Sequence, residues 1–162
     1  MVVVADTSPL IYLSRVGALG VLHVLFGEVV VPRAVWTEVV EQRTAAPGLD
    51  AIKRAEWLRV VDREWPALDL GLDPGETEAI LLAESLDADL LLIDERLGRR
   101  VAESRGLTVR GTLGVLVQAR RAGALPALRP VLETLVADGF RISPALIREA
   151  LGAVGEIDDT SA

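Results

Sequence analysis

The sequence contains no cysteine, one histidine and one lysine, and these absences exclude several kinds of chemistry. Without cysteine there is no disulfide, no thiolate nucleophile and no cysteine-bearing zinc site. His23 has no second histidine with which to form a His-rich metal site, and a Ser/His/Asp triad is correspondingly disfavoured. Lys53 does not lie in the GK[ST] sequence that a P-loop requires. Carboxylates, hydroxyls and arginines remain as the groups that can do chemistry.

Aromatic residues and long apolar runs are also scarce. The chain has three tryptophans, two phenylalanines and one tyrosine, so stacking of nucleic-acid bases is expected to contribute little. No uninterrupted apolar run approaches the roughly 18–20 residues that cross a bilayer. The first residues lack the basic segment that opens a signal peptide. We therefore expect a soluble, cytoplasmic protein that makes no contact with a membrane.

The net charge of −7 by itself disfavours a nucleic-acid partner, but the charges are unevenly distributed. Residues 96–148 carry ten arginines and three acids, whereas residues 1–95 carry seven basic and 17 acidic side chains. A basic segment after an acidic one is typical of an arginine face that binds phosphates beside a carboxylate cluster. Solvated arginines on helix surfaces explain the same pattern equally well.

The length of 162 residues suits one domain. Short β-branched or leucine-rich runs predict five strands separated by helical patterns, at residues 2–5, 28–31, 58–61, 90–93 and 107–109. Strands that alternate with helices form a parallel sheet with helices on both faces. We expect a three-layer α/β/α domain over residues 1–154, with strand order 3-2-1-4-5 and a helical C-terminal extension. Residues 155–162 are predicted to form a frayed tail.

Two aspartates follow strands that this order makes neighbours. Asp6 ends the first predicted strand and Asp94 ends the fourth. Ligands of parallel sheets bind outside the carboxyl ends of the strands, where the strand order reverses, so both carboxylates are expected to enter one crevice. A single aspartate after a strand is often only a helix cap, but two at adjacent strand ends favour a site.

Three glutamates are further candidates, and they differ in their structural alternatives. Glu38 lies at the border of an apolar helical stripe, where a surface residue is an equally ordinary interpretation. Asp73 and Pro74 are typical of a helix start, and Glu76 then stands where a capping box has its acid. Glu78 has no capping role, so it is the better ligand candidate of the two.

Four carboxylates in one crevice would form an oxygen site of the kind that selects Mg²⁺ or Mn²⁺ over zinc. Close carboxylates repel one another, so a bound cation removes a destabilising repulsion. Such a site can activate water and stabilise the oxyanions of a phosphoryl displacement. Ser8 either supports a carboxylate by a hydrogen bond or is the N-cap of a helix that begins at Pro9.

At these residues the sequence resembles the PIN-domain family of metal-dependent nucleases, especially small prokaryotic members related to VapC-type toxins. Residues 4–11 are similar to the opening motif of the family, and residues 31–39, 75–80 and 91–96 are similar to the next three. The Gly-Thr-Leu-Gly sequence at 111–114 marks a subgroup. By this resemblance Ser8 is a supporting polar residue, and the catalytic and metal-binding acids are Asp6, Glu38, Glu78 and Asp94.

The resemblance implies a divalent-metal-dependent endoribonuclease that cleaves single-stranded RNA by metal-activated water. Arg96, Arg99 and Arg100 are expected to bind RNA phosphates through bidentate hydrogen bonds. A role as the toxin of a toxin–antitoxin pair would add an antitoxin protein as partner, and a homodimer is the expected assembly. The alternative from another class is a PIN scaffold without catalysis, which serves as a regulatory or protein-binding subunit.

Overall fold

The computed structural model describes residues 1–42 and 47–157 of the chain. Its strands are β1 (Val3–Ala5), β2 (Val29–Pro32), β3 (Leu58–Val61), β4 (Leu90–Leu92) and β5 (Val109–Arg110). All pairings are parallel, and the order β3-β2-β1-β4-β5 confirms the topology expected from the sequence. The ends of the strands differ from the predicted runs by two residues at most.

Helices connect the strands and then continue the chain beyond the sheet. In the described residues they are α1 (Thr7–Arg15), α2 (Gly20–Phe26), α3 (Arg33–Trp36), α4 (Leu49–Arg54), α5 (Pro74–Ser85), α6 (Arg96–Ser104), α7 (Thr112–Arg121), α8 (Arg129–Ala137) and α9 (Pro144–Ala153). Helix α5 begins as its sequence predicts, because the Asp73 carboxylate accepts the Glu76 N–H at 2.8 Å. Helices α7 to α9 form the expected C-terminal extension.

Alternate residues of the central strand enter two separate hydrophobic cores, one on each face of the sheet. Val3 and Ala5 pack into the larger core, whereas Val4 packs into the smaller one with Ile80 of α5. This alternation follows from the two-residue period of a strand. The larger core also contains Leu135 of α8, so the extension packs against the sheet. The two cores confirm the three-layer α/β/α arrangement.

The helical segment after β2 changes its type of turn partway along. Pro32 is the last residue of β2, and α3 spans only four residues before a π-helical segment, Thr37–Glu41, takes over. The Gln42 N–H donates to the Thr37 carbonyl at 3.0 Å, a five-residue step that closes this wider turn. Such segments are rare and occur frequently at functional sites. Here the segment carries Glu38.

The C-terminal end is partly fixed. Glu156 lies within the stretch predicted to be frayed, yet its carboxylate accepts the N–H groups of Leu128 at 2.7 Å and Arg129 at 3.1 Å. These donors open helix α8, where backbone N–H groups have no partner within the helix. Residues 158–162 of the predicted tail lie outside the described residues.

Among the described residues, no single helix has the length and apolar character to cross a membrane. Helices α1 and α2 reach that length only together, and they are bent by 120° at their junction.

Candidate active site

Asp6 is a buried carboxylate at the carboxyl edge of the sheet. Ala5 pairs with Leu92 across β1 and β4, and the Asp6 N–H donates to the Leu92 carbonyl at 2.9 Å. The side chain of Asp6 is 3% exposed, and its Oδ1 has no hydrogen-bond partner among the described residues. Burial is the main cause that raises the pKa of Asp6 from 3.8 to about 7; a hydrogen bond from the Thr7 backbone lowers it, and nearby acidic charges contribute to the rise.

The acids that raise the pKa of Asp6 are Glu76, Asp73 and Glu38. Glu76 is itself buried, and its pKa is raised to about 7 by burial and then by the charges of Asp73, Glu95 and Glu38, although a backbone hydrogen bond at Asp73 lowers it. Sequence reasoning gave Glu76 only a capping role. In the structure its backbone N–H is capped by Asp73, and its carboxylate is one of the charges acting on Asp6.

Glycine lets α6 approach the carboxylate of Glu76. A Cβ placed on Gly98 would lie 3.5 Å from both the carboxyl carbon and Oε2 of Glu76, and only 2.7 Å from Ile93 Cδ1. The last distance is shorter than real Cβ contacts allow, so a larger residue at position 98 would displace the helix or its neighbours. Gly98 therefore lets α6 pack against Glu76.

Glu38 reaches the same region from the π-helical segment. Its Oε2 accepts a hydrogen bond from Thr7 Oγ1 at 2.9 Å. A Cβ on Gly75 would lie 3.1 Å from that Glu38 oxygen and 3.5 Å from Asp73 Oδ1 and Thr7 Oγ1. Glycine at the start of α5 therefore leaves room for these groups to meet.

The hydroxyl of Thr7, which the sequence did not single out, donates to Glu38, and a supporting role for Ser8 stays a prediction. The sequence offered Ser8 either as that support or as a helix cap, but helix α1 begins at Thr7 and Asp6 holds the N-cap position. Ser8 therefore lies inside the first turn, where it lines the neighbouring cleft. The adjacent Asp6-Thr7-Ser8 residues contain the needed hydroxyl, and only the true start of α1 identifies which one faces Glu38.

Glu78 makes a contact that its sequence neighbours do not suggest. Its Oε2 accepts the Ala34 N–H at 3.0 Å, at the first turn of α3. Glu78 and Glu38 both line a cavity of about 450 Å³ beside α3. The described contacts therefore link Glu78 to the helix that leads to Glu38, and a metal-ligand role for Glu78 stays a prediction.

Asp94 is held by both polar groups of Thr112. The Thr112 N–H donates to Asp94 Oδ1 and the Thr112 Oγ1–H to Asp94 Oδ2, each at 2.7 Å. Burial raises the pKa of Asp94, while these two hydrogen bonds and the charge of Arg99 lower it and that of Glu95 raises it. A Cβ on Gly111 would lie 2.9 Å from Asp94 Oδ1 and 3.0 Å from Arg99 Nη1. Gly111 therefore leaves room for the Asp94 carboxylate, and Thr112 fixes its orientation.

Asp94 also opens onto a large cleft of about 1270 Å³. Five arginines line this cleft together with the acids Asp94, Glu95 and Glu149; they are Arg96, Arg99, Arg110, Arg121 and Arg141. Two of the three arginines expected to bind phosphates are therefore in the cleft. Arg100 is exposed and does not line it, so its phosphate role stays a prediction.

The oxygen ligands of these acids suit a divalent cation, but the spacing between the acids does not yet form a site around one ion. Among the described residues, no three acidic or histidine side chains lie close enough together to surround one ion. The donor set nevertheless consists of hard oxygens, and the buried Asp6 Oδ1 lacks a partner that a cation would supply.

A family model described as a PIN domain, DUF3368, matches residues 2–156. The chain belongs to the PIN-domain family. The matched range includes Asp6, Glu38, Glu76 and Asp94 and every residue that lines the cleft. It confirms the family resemblance, but it does not assign the chain to the VapC-type subgroup. PIN domains are generally nucleases, so the fold is of a nuclease type. Comparisons with curated proteins and with solved structures gave no significant match.

Proposed function

We propose that this PIN-domain protein is a divalent-metal-dependent endoribonuclease that hydrolyses single-stranded RNA. The observation that carries the proposal is the environment of Asp6, a buried carboxylate with one unpaired oxygen among the charges of Glu38, Glu76 and Asp73. A protein gains no stability from such an arrangement unless a cation or proton neutralises it. A purely structural role would not require it.

Asp6, Glu38, Glu76 and Asp94 would hold the metal, Mg²⁺ or Mn²⁺, directly or through water. When bound, the cation supplies positive charge that neutralises the acids and polarises the phosphodiester. The substitution of Glu76 for Glu78 in this set is supported by the burial of Glu76 and its charge on Asp6. Glu78 as the third ligand is the competing assignment.

Other residues position the acids and the substrate. Thr7 orients Glu38 and Thr112 orients Asp94 through the hydrogen bonds described above. Arg96 and Arg99 line the cleft beside Asp94, where guanidinium groups can bind RNA phosphates in a bidentate manner. The positive charge of Arg99 also favours the ionised form of Asp94.

A toxin role with an antitoxin partner, a homodimeric assembly and a cytoplasmic location remain predictions from the sequence. The alternative to catalysis is a PIN scaffold that only binds a regulatory or protein partner. It differs from the nuclease proposal in one measurable respect, since it needs no metal-dependent cleavage.

The test is cleavage of labelled single-stranded RNAs of mixed sequence with Mg²⁺ or Mn²⁺, and again with EDTA. We expect cleavage that requires the metal and disappears in an Asp6→Asn variant purified in the same way. The variant is the matched control, because a contaminating ribonuclease would survive the substitution. If the wild-type protein cleaves none of these RNAs with either metal, the nuclease proposal fails and the binding scaffold replaces it.

A further inference from the structure

We propose that residues 138–143, the connection between α8 and α9, form the second wall of the large cleft and that Arg141 binds a phosphate of the substrate strand there. The inference rests on the proposed function for the identity of the ligand, single-stranded RNA. It adds a binding wall from the C-terminal extension, far along the chain from the acids.

Two parts of the chain line the cleft. One part contains Asp94, Arg96 and Arg99, at the end of β4 and the start of α6. The other contains Phe140, Arg141 and Ile142 of the connection, followed by residues of α9. A strand that enters the cleft to reach Asp94 therefore meets arginines from both parts of the chain.

The connection is attached to α1 at two points. Arg15 Nη1 lies 3.4 Å from Asp138 Oδ2, an ion pair that is only partly exposed. The rings of Tyr12 and Phe140 meet edge to face, with centroids 4.7 Å apart. Asp138 and Phe140 both precede Arg141 by a few residues, so their contacts fix the wall on which Arg141 stands. Binding to a fixed wall loses less conformational entropy than ordering a loose loop.

The charges of the cleft favour a polyanion. Its five arginines exceed its three acids, and guanidinium groups match the geometry of phosphate oxygens. Within residues 1–42 and 47–157, Arg96 and Arg141 make no hydrogen bond or ion pair. These two cations come from the two parts of the chain that line the cleft. We infer that the phosphodiester backbone of one strand occupies the space between them.

The experiment compares two substitutions, seven residues apart, each of which removes one positive charge. Arg141→Gln removes a cation from the cleft, whereas Arg148→Gln removes one from an exposed position on α9 that does not line it. Binding of a fluorescein-labelled 12-residue single-stranded RNA is measured by anisotropy in EDTA, which prevents cleavage, at several NaCl concentrations. Both variants are also compared with wild type by thermal melting to show that they fold.

Arg141→Gln is expected to weaken binding about three- to tenfold and to lower the slope of log K against log salt by about 0.7, the contribution of one phosphate contact on a single strand. Arg148→Gln should change neither value. Phe140→Ala, which releases the wall from Tyr12, should weaken binding as well. Equal behaviour of the Arg141 and Arg148 variants would overturn the inference.

Two further outcomes separate this inference from the proposed function. If wild-type protein cleaves RNA but Arg141→Gln binds it normally, only the second wall is refuted. If RNA binding depends on Arg141 and no metal supports cleavage, the wall stands and the nuclease proposal fails. Poly-glutamate that displaces the RNA at equal residue concentration, again through Arg141, would assign the cleft to an acidic peptide and overturn the inference.

Discussion

The two oxygens of the Asp94 carboxylate accept two hydrogen bonds from one residue, Thr112, whose N–H and Oγ1 each lie 2.7 Å away. Thr112 is fully buried and opens helix α7, 18 positions further along the chain. A carboxylate that is held at both oxygens keeps one orientation. A ligand that binds in this orientation therefore causes a smaller loss of conformational entropy than it would at a mobile carboxylate.

Removal of the Thr112 hydroxyl should therefore impair the site through Asp94. Thr112→Val keeps the shape of the side chain and the N–H hydrogen bond, but it leaves Asp94 Oδ2 without its donor. We expect at least a tenfold loss of metal-dependent cleavage, and a higher Mn²⁺ concentration for half-maximal activity. Thr112→Ser should restore both, because it retains the hydroxyl. Loss of activity in the serine variant with normal melting would contradict this role.

A second prediction separates the two glutamates of α5. Glu76→Gln should abolish metal-dependent cleavage, because it removes a buried charge beside Asp6. Glu78→Gln should retain most activity, since a glutamine oxygen can still accept the Ala34 N–H. Cleavage rates of the two purified variants, at saturating Mn²⁺, decide between them. The reverse result would restore Glu78 as the third ligand.

The contacts of Glu76 and Glu78 are difficult to predict from the sequence for a physical reason. Helix α5 and its N-cap are local features, so the Asp73-Pro74 pattern predicts them correctly. The donor of Glu78 is Ala34, 44 residues earlier, and no local pattern announces such a contact. A capping position also says where a backbone N–H is satisfied, while the side chain of Glu76 remains available for Asp6. The sequence therefore predicts the helix, but not the contact of Glu78 with Ala34 or the burial of Glu76.

The same limit applies to the hydroxyls and the arginines. The strand order and the ends of β1 and β4 were predictable from buried apolar runs, and they place Asp6 and Asp94 at one edge. Helix α1 begins at Thr7, two residues before the start that a Ser8 cap implies, and the Thr7 hydroxyl contacts Glu38. The position of Arg141 depends on how α8 and α9 pack, which is set by tertiary contacts such as Tyr12 with Phe140.

The metal-free protein should become less stable as the pH rises from about 4 to about 7. The pKa of Asp6 is raised in the folded state, so the folded protein binds more protons than the unfolded chain in that range, and deprotonation disfavours folding. Asp6→Asn removes the contribution of Asp6, while the raised pKa of Glu76 continues to act in the same direction. Its stability advantage over wild type, measured by urea unfolding in EDTA, should grow with pH to roughly 2–4 kcal/mol above pH 7. An advantage that does not vary with pH would refute the raised pKa.

Divalent cations should stabilise the protein by replacing those protons. At a hundredfold excess over Kd, binding to the folded state contributes about 2.7 kcal/mol, and each kcal/mol raises the melting temperature by roughly 2–4 °C for a domain of this size. Mn²⁺ should therefore raise the melting temperature by several degrees, and by less in Asp94→Asn. NaCl at matched ionic strength is the control for screening. A melting curve indifferent to millimolar Mn²⁺ and Mg²⁺ would show that the acids bind no metal in the free protein.

Glu156 should stabilise the C-terminal helices, because its carboxylate accepts the N–H groups that open α8 and lies 3.3 Å from Arg120 Nε. Burial raises the pKa of Glu156, but these hydrogen bonds outweigh it and leave the pKa lowered. Glu156→Ala is expected to cost about 1–2 kcal/mol, the usual cost of a lost helix cap. Thermal melting checks this against Ile157→Ala, whose exposed side chain should be dispensable. Similar melting of both variants would argue against the cap.

The position of the α8–α9 connection along the chain has a consequence for how this protein can diverge. The acids come from residues 6–94, whereas the connection at 138–143 joins them in lining the cleft only in the folded molecule. Under the proposed function, changes of length or charge in that connection would alter which strands are held without disturbing the carboxylates. Substrate preference would then evolve, or be redesigned, separately from catalysis.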